Sequence, residues 1–434
     1  MLRVCLVGLA GLLVATLSSE AVALSLSRGP YLQSGTSTSV IVRWRTDVPA
    51  NSRVRAGIDP TNLNLTFEMG TITTEHEVPV SGLNPQTKYY YSIGSTTQEL
   101  SRGDNTSYFY TAPVPGTGQP TRIWVIGDAG TGWSGQAAVY DAYRKFTGSH
   151  PTHLWLMLGD NAYKSGTDDQ YQAQLFEMYP DMFRQSVVWP AFGNHDGVSA
   201  DSVTQTGPYY DIFSLPKNGE AGGVPSGTEA YYAFDYANIH FVVLDSHESS
   251  RDPRGPMLSW LRTDLQATKA DWVVAYWHHP PYTKGSHDSD TERQLIEIRH
   301  HVVPVLEELG VDLVLAGHSH SYERSKFIDG HYGSSATFNN MTHIKQVGDG
   351  RGGSTGAYTK PRGRAAHSGT VYAVIGSSGK LRGGSLNHPA MSTSLKALGS
   401  LVLDVDGLIL SGKFLDEHGI VRDYFTISKA SDPP

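Results

Sequence analysis

The chain has 434 residues, which is more than one ordinary domain contains, so two domains are expected. Hydrophobic residues make up 39% of the chain and charged residues 18%, a composition typical of a soluble globular protein. The formal net charge is −8 and no run of lysine and arginine occurs. This balance argues against a nucleic-acid partner, because surfaces that bind nucleic acid usually carry a basic excess.

Residues 1–23 have the pattern of a secretory signal peptide. Arg3 provides the positive charge, an apolar run extends from Val4 to Leu17, and Ala21-Val22-Ala23 fits a small-x-small cleavage site. The apolar run is shorter than a membrane-spanning helix requires, which makes a membrane anchor the less favoured alternative. We therefore expect a secreted protein, extracellular or periplasmic, with no membrane association after cleavage.

The only cysteine of the chain is Cys5, which lies inside the predicted signal peptide. The mature chain would then contain no thiol, which excludes disulfides, a thiol nucleophile and cysteine-based zinc or iron–sulfur sites. Any metal ion must therefore be bound by His, Asp, Asn, Glu or Tyr side chains.

Residues 24–117 are predicted to form an all-β domain, because short alternating or β-branched runs such as Ser39–Trp44 recur between Gly, Asn and Pro. The segment Leu83–Tyr91 resembles the turn and strand of fibronectin type III modules, in which a tyrosine bonds back to the backbone at a sandwich corner. Trp44 would then be the core tryptophan. A linker rich in Pro and Gly follows at residues 111–120.

In residues 118–430 the pattern changes to strands that alternate with helices, which predicts an α/β domain with a buried sheet. The predicted strands are Arg122–Ile126, His153–Leu158, Val187–Phe192, His240–Leu244, Trp272–Trp277, Asp312–Ala316 and Val371–Ile375. The predicted helices are Gly135–Phe146, Tyr171–Phe183, Met257–Thr268 and Thr291–Leu309. Residues 330–369 are rich in Gly and Ser and are predicted to be long loops.

Side chains that bind metals follow five of these strands directly. In chain order they are Asp128, then Asp160 and Tyr163, then Asn194, then His278, and finally His318 and His320. Each motif alone is more often a simple turn. Five motifs in succession, each after an apolar strand, indicate one shared site, because open α/β sheets bind ligands at the carboxyl ends of their strands.

The chemistry of these side chains indicates what they bind. Two carboxylates, an amide oxygen, a phenol and three imidazoles are too many ligands for one ion and suit two ions that share a bridge. Oxygen and nitrogen ligands without thiolate suit iron, manganese or zinc. The His-x-His spacing would direct the two rings to opposite faces of a strand, but in a turn the rings can diverge onto adjacent metals. Two ions about 3.5–4 Å apart bind a phosphate between them and activate a bound water.

The order of the motifs resembles that of the purple acid phosphatases, a branch of the calcineurin-like metallophosphoesterases. The motifs are Asp128-Ala129-Gly130, Gly159-Asp160-Asn161-Ala162-Tyr163, Gly193-Asn194-His195-Asp196, His278 before Pro and Tyr, and Gly317-His318-Ser319-His320. General metallophosphoesterases have Asp-x-His at the first motif and lack the tyrosine, so this combination marks the purple branch. The resemblance covers residues 121 to about 425. It implies a metallophosphoesterase β-sandwich flanked by helices, preceded by a fibronectin type III-like sandwich.

The resemblance also implies roles for individual residues. It implies a ferric ion bound by Asp128, Tyr163 and His320, a divalent ion (iron, zinc or manganese) bound by Asn194, His278 and His318, and Asp160 as the bridge. His195 would bind phosphate oxygens and His287 would protonate the leaving group. Some members have a second histidine where this chain has Asp288, and that carboxylate would make the rim less positive and disfavour polyanionic substrates. Glu323 and Arg324 match a family segment that would support the His-x-His turn.

These features together predict a secreted acid phosphatase that hydrolyses small phosphomonoesters through a metal-bound hydroxide. A phosphodiesterase or nucleotide pyrophosphatase on the same core is one alternative. A secreted binding protein with an inert phosphoesterase domain is another, although an inert domain has no chemical need for seven ligands.

Overall fold

The structure is a computed structural model that describes residues 23–352 and 356–430. The predicted signal peptide lies outside the described residues, except for Ala23. None of the helices in these two ranges combines the length and the apolar character that a membrane crossing requires.

The described residues form 22 strands and eight α-helices, together with short 3₁₀ and π-helical turns. The N-terminal strands are β1 (Leu26–Gln33), β2 (Ser39–Gly57), β3 (Leu65–Ser81), β4 (Lys88–Gly94), β5 (Glu99–Ser101) and β6 (Tyr108–Tyr110). The next strands are β7 (Thr121–Ile126), β8 (Leu154–Met157), β9 (Val187–Pro190), β10 (Tyr232–Tyr236), β11 (Ile239–Val243), β12 (Trp272–Trp277) and β13 (Leu313–Ala316). The last are β14 (Tyr322–Ser325), β15 (Phe327–Ile328), β16 (Ile344–Gln346), β17 (Tyr358–Lys360), β18 (Val371–Ile375), β19 (Met391–Leu395), β20 (Gly399–Asp406), β21 (Ile409–Asp416) and β22 (Val421–Lys429). The helices are α1 (Ser134–Thr147), α2 (Asp168–Tyr171), α3 (Pro180–Gln185), α4 (Pro208–Ile212), α5 (Pro256–Ala267), α6 (Arg293–Glu297), α7 (Val303–Glu308) and α8 (Asn340–His343).

Two large sheets organise the chain. The first has the order β17-β22-β21-β20-β7-β8-β9-β1-β2-β4-β5, with β3 paired to β2 and β6 paired to β4. In it the parallel strands β7, β8 and β9 adjoin the N-terminal strands through one pair, Leu32 with Val187. The second sheet has the order β10-β11-β12-β13-β18-β14-β19, and β11, β12, β13 and β18 are parallel.

The two sheets pack face to face through large side chains. Trp189 of β9 stacks on Phe234 of β10 with ring centroids 3.8 Å apart. The hydroxyl of Tyr276 on β12 donates to the Trp189 carbonyl at 3.1 Å. On the outer face of the first sheet, Tyr143 of α1 stacks on Trp124 of β7 at 4.5 Å. The structure therefore confirms the predicted α/β fold, a β-sandwich flanked by helices and preceded by an all-β region.

All seven predicted strands are present, with ends that differ from the predicted ones by at most two residues. Apart from Arg122 in β7, all their residues are buried, so both faces are covered, which explains the continuous apolar runs. Two predicted helices were too long. The segment predicted as Tyr171–Phe183 is interrupted between a π-helical turn and α3, where Pro180 begins a new helix. The helix predicted as Thr291–Leu309 consists of α6, a π-helical turn and α7.

The predicted corner of the N-terminal region is present. The Tyr89 hydroxyl accepts a hydrogen bond from the Asn84 backbone N–H at 3.0 Å, which closes the turn that precedes β4. Trp44 is fully buried and stacks on His76 at 4.7 Å. The domain boundaries at residues 24–117 and 118–430 stay a prediction.

A buried ion pair between β14 and β22 links the two sheets. The Arg324 guanidinium of β14 donates to Asp423 of β22 at 2.6 Å, and both side chains are fully buried. The Tyr322 hydroxyl donates to the same carboxylate at 2.9 Å. Arg324 thus stabilises the sandwich rather than the His-x-His turn, whereas Glu323 accepts hydrogen bonds from Thr283 and from the Lys284 N–H.

Asp423→Asn should lower the free energy of unfolding by about 3 kcal/mol, because it leaves the buried Arg324 charge without its counter-charge. Urea denaturation of the full chain measures this loss. Glu308→Gln is the matched control, since Glu308 pairs with Arg262 on the surface and its loss should change stability by less than about 0.5 kcal/mol. Equal stability of the two variants would contradict a structural role for the buried pair.

Candidate metal centre

The side chains that were predicted as metal ligands lie where the carboxyl ends of strands from both sheets meet. Asp128 follows β7, Asp160 follows β8 and His318 follows β13, and each has a positive φ, between 54° and 66°. This left-handed conformation is uncommon for residues other than glycine. Gly159 permits the close approach of the strands, because a Cβ atom there would lie 2.7 Å from Nδ1 of His278. The backbone is thus constrained to direct these side chains into one space.

Asp128, Tyr163 and His320 form one group of donor atoms. The Tyr163 hydroxyl lies 3.0 Å from Oδ1 of Asp128 and 3.4 Å from Nε2 of His320. The same Nε2 lies 3.3 Å from Oδ1 of Asp128. All three side chains are buried, and Oδ2 of Asp128 accepts the backbone N–H of His318 at 2.7 Å.

Asn194, His278 and His318 form a second group. Oδ1 of Asn194 lies 3.0 Å from Nε2 of His278 and 3.0 Å from Nδ1 of His318. The two imidazole nitrogens are 3.2 Å apart. The two histidines therefore present different ring nitrogens to the same point.

Asp160 lies between the two groups. Its Oδ1 is 3.3 Å from Nε2 of His278, and carboxylate oxygens of Asp128 and Asp160 lie within 4.8 Å of each other and of a His278 nitrogen. The negative charge of Asp160 also acts on the hydroxyl of Tyr163 in the first group. The structure thus brings together all seven side chains that the strand ends predicted.

The tautomers of the two histidines indicate that the second group fits a cation. Nδ1 of His278 lies 2.9 Å from the Leu158 carbonyl oxygen, which only accepts, so Nδ1 carries the proton and Nε2 presents a lone pair. Nε2 of His318 lies 3.0 Å from a carboxylate oxygen of Glu292, so its Nδ1 presents a lone pair. These lone pairs converge with the amide oxygen of Asn194 and the carboxylate of Asp160. A positive ion among them would satisfy all four, so the donor set fits a metal site.

In the first group, neighbouring charges shift the pKa values of Asp128 and Tyr163. Burial alone would raise the pKa of Asp128, but its bond to His320 and the nearby histidine charges outweigh burial and lower that pKa to about 2. Burial and the charges of Asp128 and Asp160 raise the pKa of Tyr163 well above its ordinary value. A cation in this group has the opposite effect on the phenol, because it stabilises the phenolate.

The two predicted catalytic histidines lie at the margin of the donor set, each with about a third of its side chain exposed. The His195 backbone N–H donates to Oδ1 of Asp160 at 2.8 Å, and its ring lies 4.6 Å from the Tyr163 ring. Nδ1 of His195 bonds to the Lys164 carbonyl at 2.5 Å, which leaves Nε2 available. The His287 ring lies 3.7 Å from the His318 ring and 6.1 Å from the His320 ring.

Glu292 is a residue of this site that the sequence analysis missed. Its carboxylate lies 2.8 Å from Nδ1 of His287 and 3.0 Å from Nε2 of His318, so it orients both rings. Burial would raise the pKa of Glu292, but these two histidines hold it well below its usual range. The residue immediately precedes α6, five positions after His287, and no strand-end pattern marks it.

Asp196 stands in the Gly-Asn-His-Asp motif, but the sequence analysis gave it no role. Its buried carboxylate accepts hydrogen bonds from the Tyr171 hydroxyl at 2.6 Å, the Gly193 N–H at 2.9 Å and Nδ2 of Asn161 at 3.0 Å. Burial and the charge of Asp160 raise its pKa to about 7. Asp196 thus joins the loops that carry Asp160 and Asn194 and holds them in register.

The expectation that Asp288 makes the rim of the site less positive stays a prediction, and this residue pairs with a lysine there. Its carboxylate lies 2.5 Å from the Lys284 ammonium, which also contacts Asp290 at 2.8 Å. The negative charge at position 288 is therefore offset by an adjacent lysine rather than presented to the donor set.

Comparison with known families agrees with this geometry. The model of the calcineurin-like phosphoesterase family matches residues 121–322, which contain all seven donor residues. The model of the purple acid phosphatase N-terminal domain matches residues 28–134. The two matched regions together cover residues 28–322, and they confirm the resemblance to the purple acid phosphatases that the motif order predicted.

Several curated purple acid phosphatases are similar in sequence. Purple acid phosphatase 15 of Arabidopsis thaliana is 27% identical over 313 residues, which cover 64% of this chain and 54% of the relative. Purple acid phosphatase 23 of the same plant is 28% identical, over 63% of this chain and 62% of the relative. The purple acid phosphatase of Glycine max is 26% identical, over 66% and 63%. The chain thus spans between about half and two thirds of the length of these relatives.

Two solved structures share the fold. Purple acid phosphatase PPD1 from yellow lupin (Lupinus luteus) seeds aligns with a TM-score of 0.69 at 18% identity, covering 93% of this chain and 75% of the lupin chain. PhoD aligns with a TM-score of 0.64 at 14% identity, covering 93% of this chain and 90% of PhoD. At these identities the likeness concerns the fold alone.

Proposed function

We propose that this protein is a secreted acid phosphatase that hydrolyses small phosphomonoesters at a dinuclear metal centre. The observation that carries the proposal is the convergence of seven oxygen and nitrogen donors in two groups with Asp160 between them. In this proposal a ferric ion and a divalent ion (iron, zinc or manganese) occupy the two groups. Asp128, Tyr163 and His320 would hold the ferric ion, Asn194, His278 and His318 would hold the divalent ion, and Asp160, which lies between the two groups, would contribute to both. Such a pair of ions, once bound, supplies Lewis-acid polarisation of the phosphoryl oxygens and lowers the pKa of water.

His195 is proposed to bind the phosphoryl group. Its ring is held by the Lys164 carbonyl and by contact with the Tyr163 ring, and its Nε2 lies 3.8 Å from a carboxylate oxygen of Asp160. When both ring nitrogens carry protons, Nε2 donates a charge-assisted hydrogen bond to a phosphoryl oxygen. This contact would orient the phosphate for in-line attack.

His287 is proposed to protonate the leaving oxygen. Its Nδ1 is engaged by Glu292, so a protonated ring would present the Nε2 proton to the departing alkoxide. The Glu292 carboxylate stabilises the imidazolium and fixes the ring against His318. Glu292 would thus position the general acid and one metal ligand at once.

The proposal predicts a preference for monoesters, measured with p-nitrophenyl phosphate and bis(p-nitrophenyl) phosphate on purified protein whose metals are quantified. We expect about two ions per chain, one of them iron, and kcat/KM at acidic pH at least about tenfold higher for the monoester. Faster hydrolysis of the diester would favour the phosphodiesterase alternative. Fewer than one ion per chain, without turnover of either ester, would favour the inert binding protein.

Tyr163→Phe should abolish the visible absorption band of the iron-loaded protein, because phenolate-to-ferric charge transfer requires the phenol oxygen. An absorption spectrum at matched iron content measures this. Tyr332→Phe is a suitable control, since Tyr332 bonds to Glu307 away from the donor set and its variant should keep the band. Coloured Tyr163→Phe protein would show that the ferric–tyrosinate assignment is wrong.

His287→Gln should lower kcat/KM by about 100-fold for β-glycerophosphate, whose alkoxide leaving group needs a proton. The loss should be much smaller for p-nitrophenyl phosphate, whose phenolate leaves without one. Parallel assays of both substrates measure the difference, and exposed His300, replaced by Gln, provides the control. Equal losses for the two substrates would contradict a role for His287 as general acid.

A further inference from the structure

Three basic residues lie together beside the Tyr163 ring. The Lys380 ammonium is 4.5 Å from the centre of that ring, in a cation–π arrangement. Lys164 follows Tyr163 directly, and Arg382 lies two residues after Lys380; both are exposed. In the described part of the chain, no carboxylate lies within ion-pair distance of any of the three. On a chain of net charge −8, such an uncompensated group of cations is unexpected.

The loop that carries Lys380 and Arg382 is attached to the metal centre at several points. The Arg382 N–H donates to the carbonyl of His320 at 3.0 Å. The Leu386 N–H donates to the Lys284 carbonyl at 2.8 Å, next to the segment that carries His287. At its start, the Gly379 carbonyl accepts a hydrogen bond from the Thr131 hydroxyl at 3.2 Å. Residues 379–386 therefore form a fixed border that extends from the Tyr163 side of the site to the His287 side.

The charges of this group act on one another and on the donor set. Burial lowers the pKa of Lys380, and the positive charges of Arg382 and Lys164 lower it further, whereas Asp128 and Asp160 oppose them. All three residues lie on segments that border the metal centre, since Lys164 follows Tyr163, Lys380 contacts the Tyr163 ring and the Arg382 N–H donates to His320. They also lie close to the carboxylates of the metal centre.

The opposite margin of the site has no comparable excess of positive charge in its described contacts. Lys284 is paired with Asp288 and Asp290, and His287 is paired with Glu292. An anionic group of a ligand would therefore be attracted to the Lys380 margin, where the cations lack acidic partners.

We propose that Lys380, Arg382 and Lys164 form a second anion subsite, and that the preferred substrates carry a second phosphoryl group, as sugar bisphosphates do. This inference rests on the proposed phosphatase function. The scissile phosphate lies at the metal centre, while the second phosphate receives hydrogen bonds from the ammonium and guanidinium groups of the 379–386 border. Lysine and arginine are suited to this contact, because both bind phosphate through charge-assisted hydrogen bonds.

The test compares fructose 1,6-bisphosphate with fructose 6-phosphate on the metal-loaded full chain, since the two differ by one phosphoryl group. We expect kcat/KM to be at least about tenfold higher for the bisphosphate. Lys380→Met and Arg382→Met should each reduce this ratio about five- to tenfold. Lys269→Met, which removes an exposed lysine next to α5, should leave the ratio unchanged. Metal content and circular dichroism of each variant establish that its fold is intact.

Calorimetric titration of the same proteins with both sugars provides a readout that does not require turnover. Tighter binding of the bisphosphate to the wild-type chain, lost in both variants, supports the subsite even if neither sugar is hydrolysed. Binding of this kind without hydrolysis of either sugar would overturn the proposed phosphatase function and leave the subsite standing. A substrate ratio near one in the wild-type chain, or equal losses for both sugars in the variants, would overturn the subsite and leave the phosphatase proposal standing.

Discussion

The structure depends on one constraint, the convergence of lone pairs from seven side chains on a small volume. Among them, the amide oxygen of Asn194 and the lone pairs of His278 and His318 repel one another at separations of 3.0–3.2 Å unless a cation lies between them. The left-handed backbone at Asp128, Asp160 and His318 adds strain of order 1 kcal/mol or more at each residue. The surrounding sheets must therefore be rigid enough to hold these side chains together against their mutual repulsion and the backbone strain.

The packing of the two sheets provides that rigidity. Donors from β7, β8 and β9 belong to one sheet and those from β12 and β13 to the other, so the site exists only while the sheets stay in register. The stack of Trp189 on Phe234 and the buried pair of Arg324 with Asp423 fix this register on either side of the centre. Residues such as Asp196 act at shorter range and tie neighbouring strand ends to each other.

The sequence predicts which side chains lie together because each follows a buried strand, and a buried strand is a strong local signal; their role as metal ligands stays a prediction. Other parts of the site have no such signal. Glu292 reaches His318 across 26 positions, and Lys380 reaches Tyr163 from a loop that follows β18. Strands β20 to β22 were not predicted, although they are three of the thirteen strands of the first sheet and β20 pairs with β7. Contacts of this kind arise from tertiary packing, and no local sequence pattern indicates them.

The charged residues around the metal centre connect the position of the proposed general acid with the proposed choice of substrate. The proposed general acid, His287, lies beside the segment to which the 379–386 border is bound through Leu386 and Lys284. A leaving group that is protonated at His287 would thus extend along this border toward Arg382 and Lys380. Near His287, Asp288 and Asp290 contact Lys284, and Glu292 contacts the histidine itself, so their negative charge is partly offset. In the proposed subsite, the loop contacts that hold His320 would also determine where a second phosphate binds.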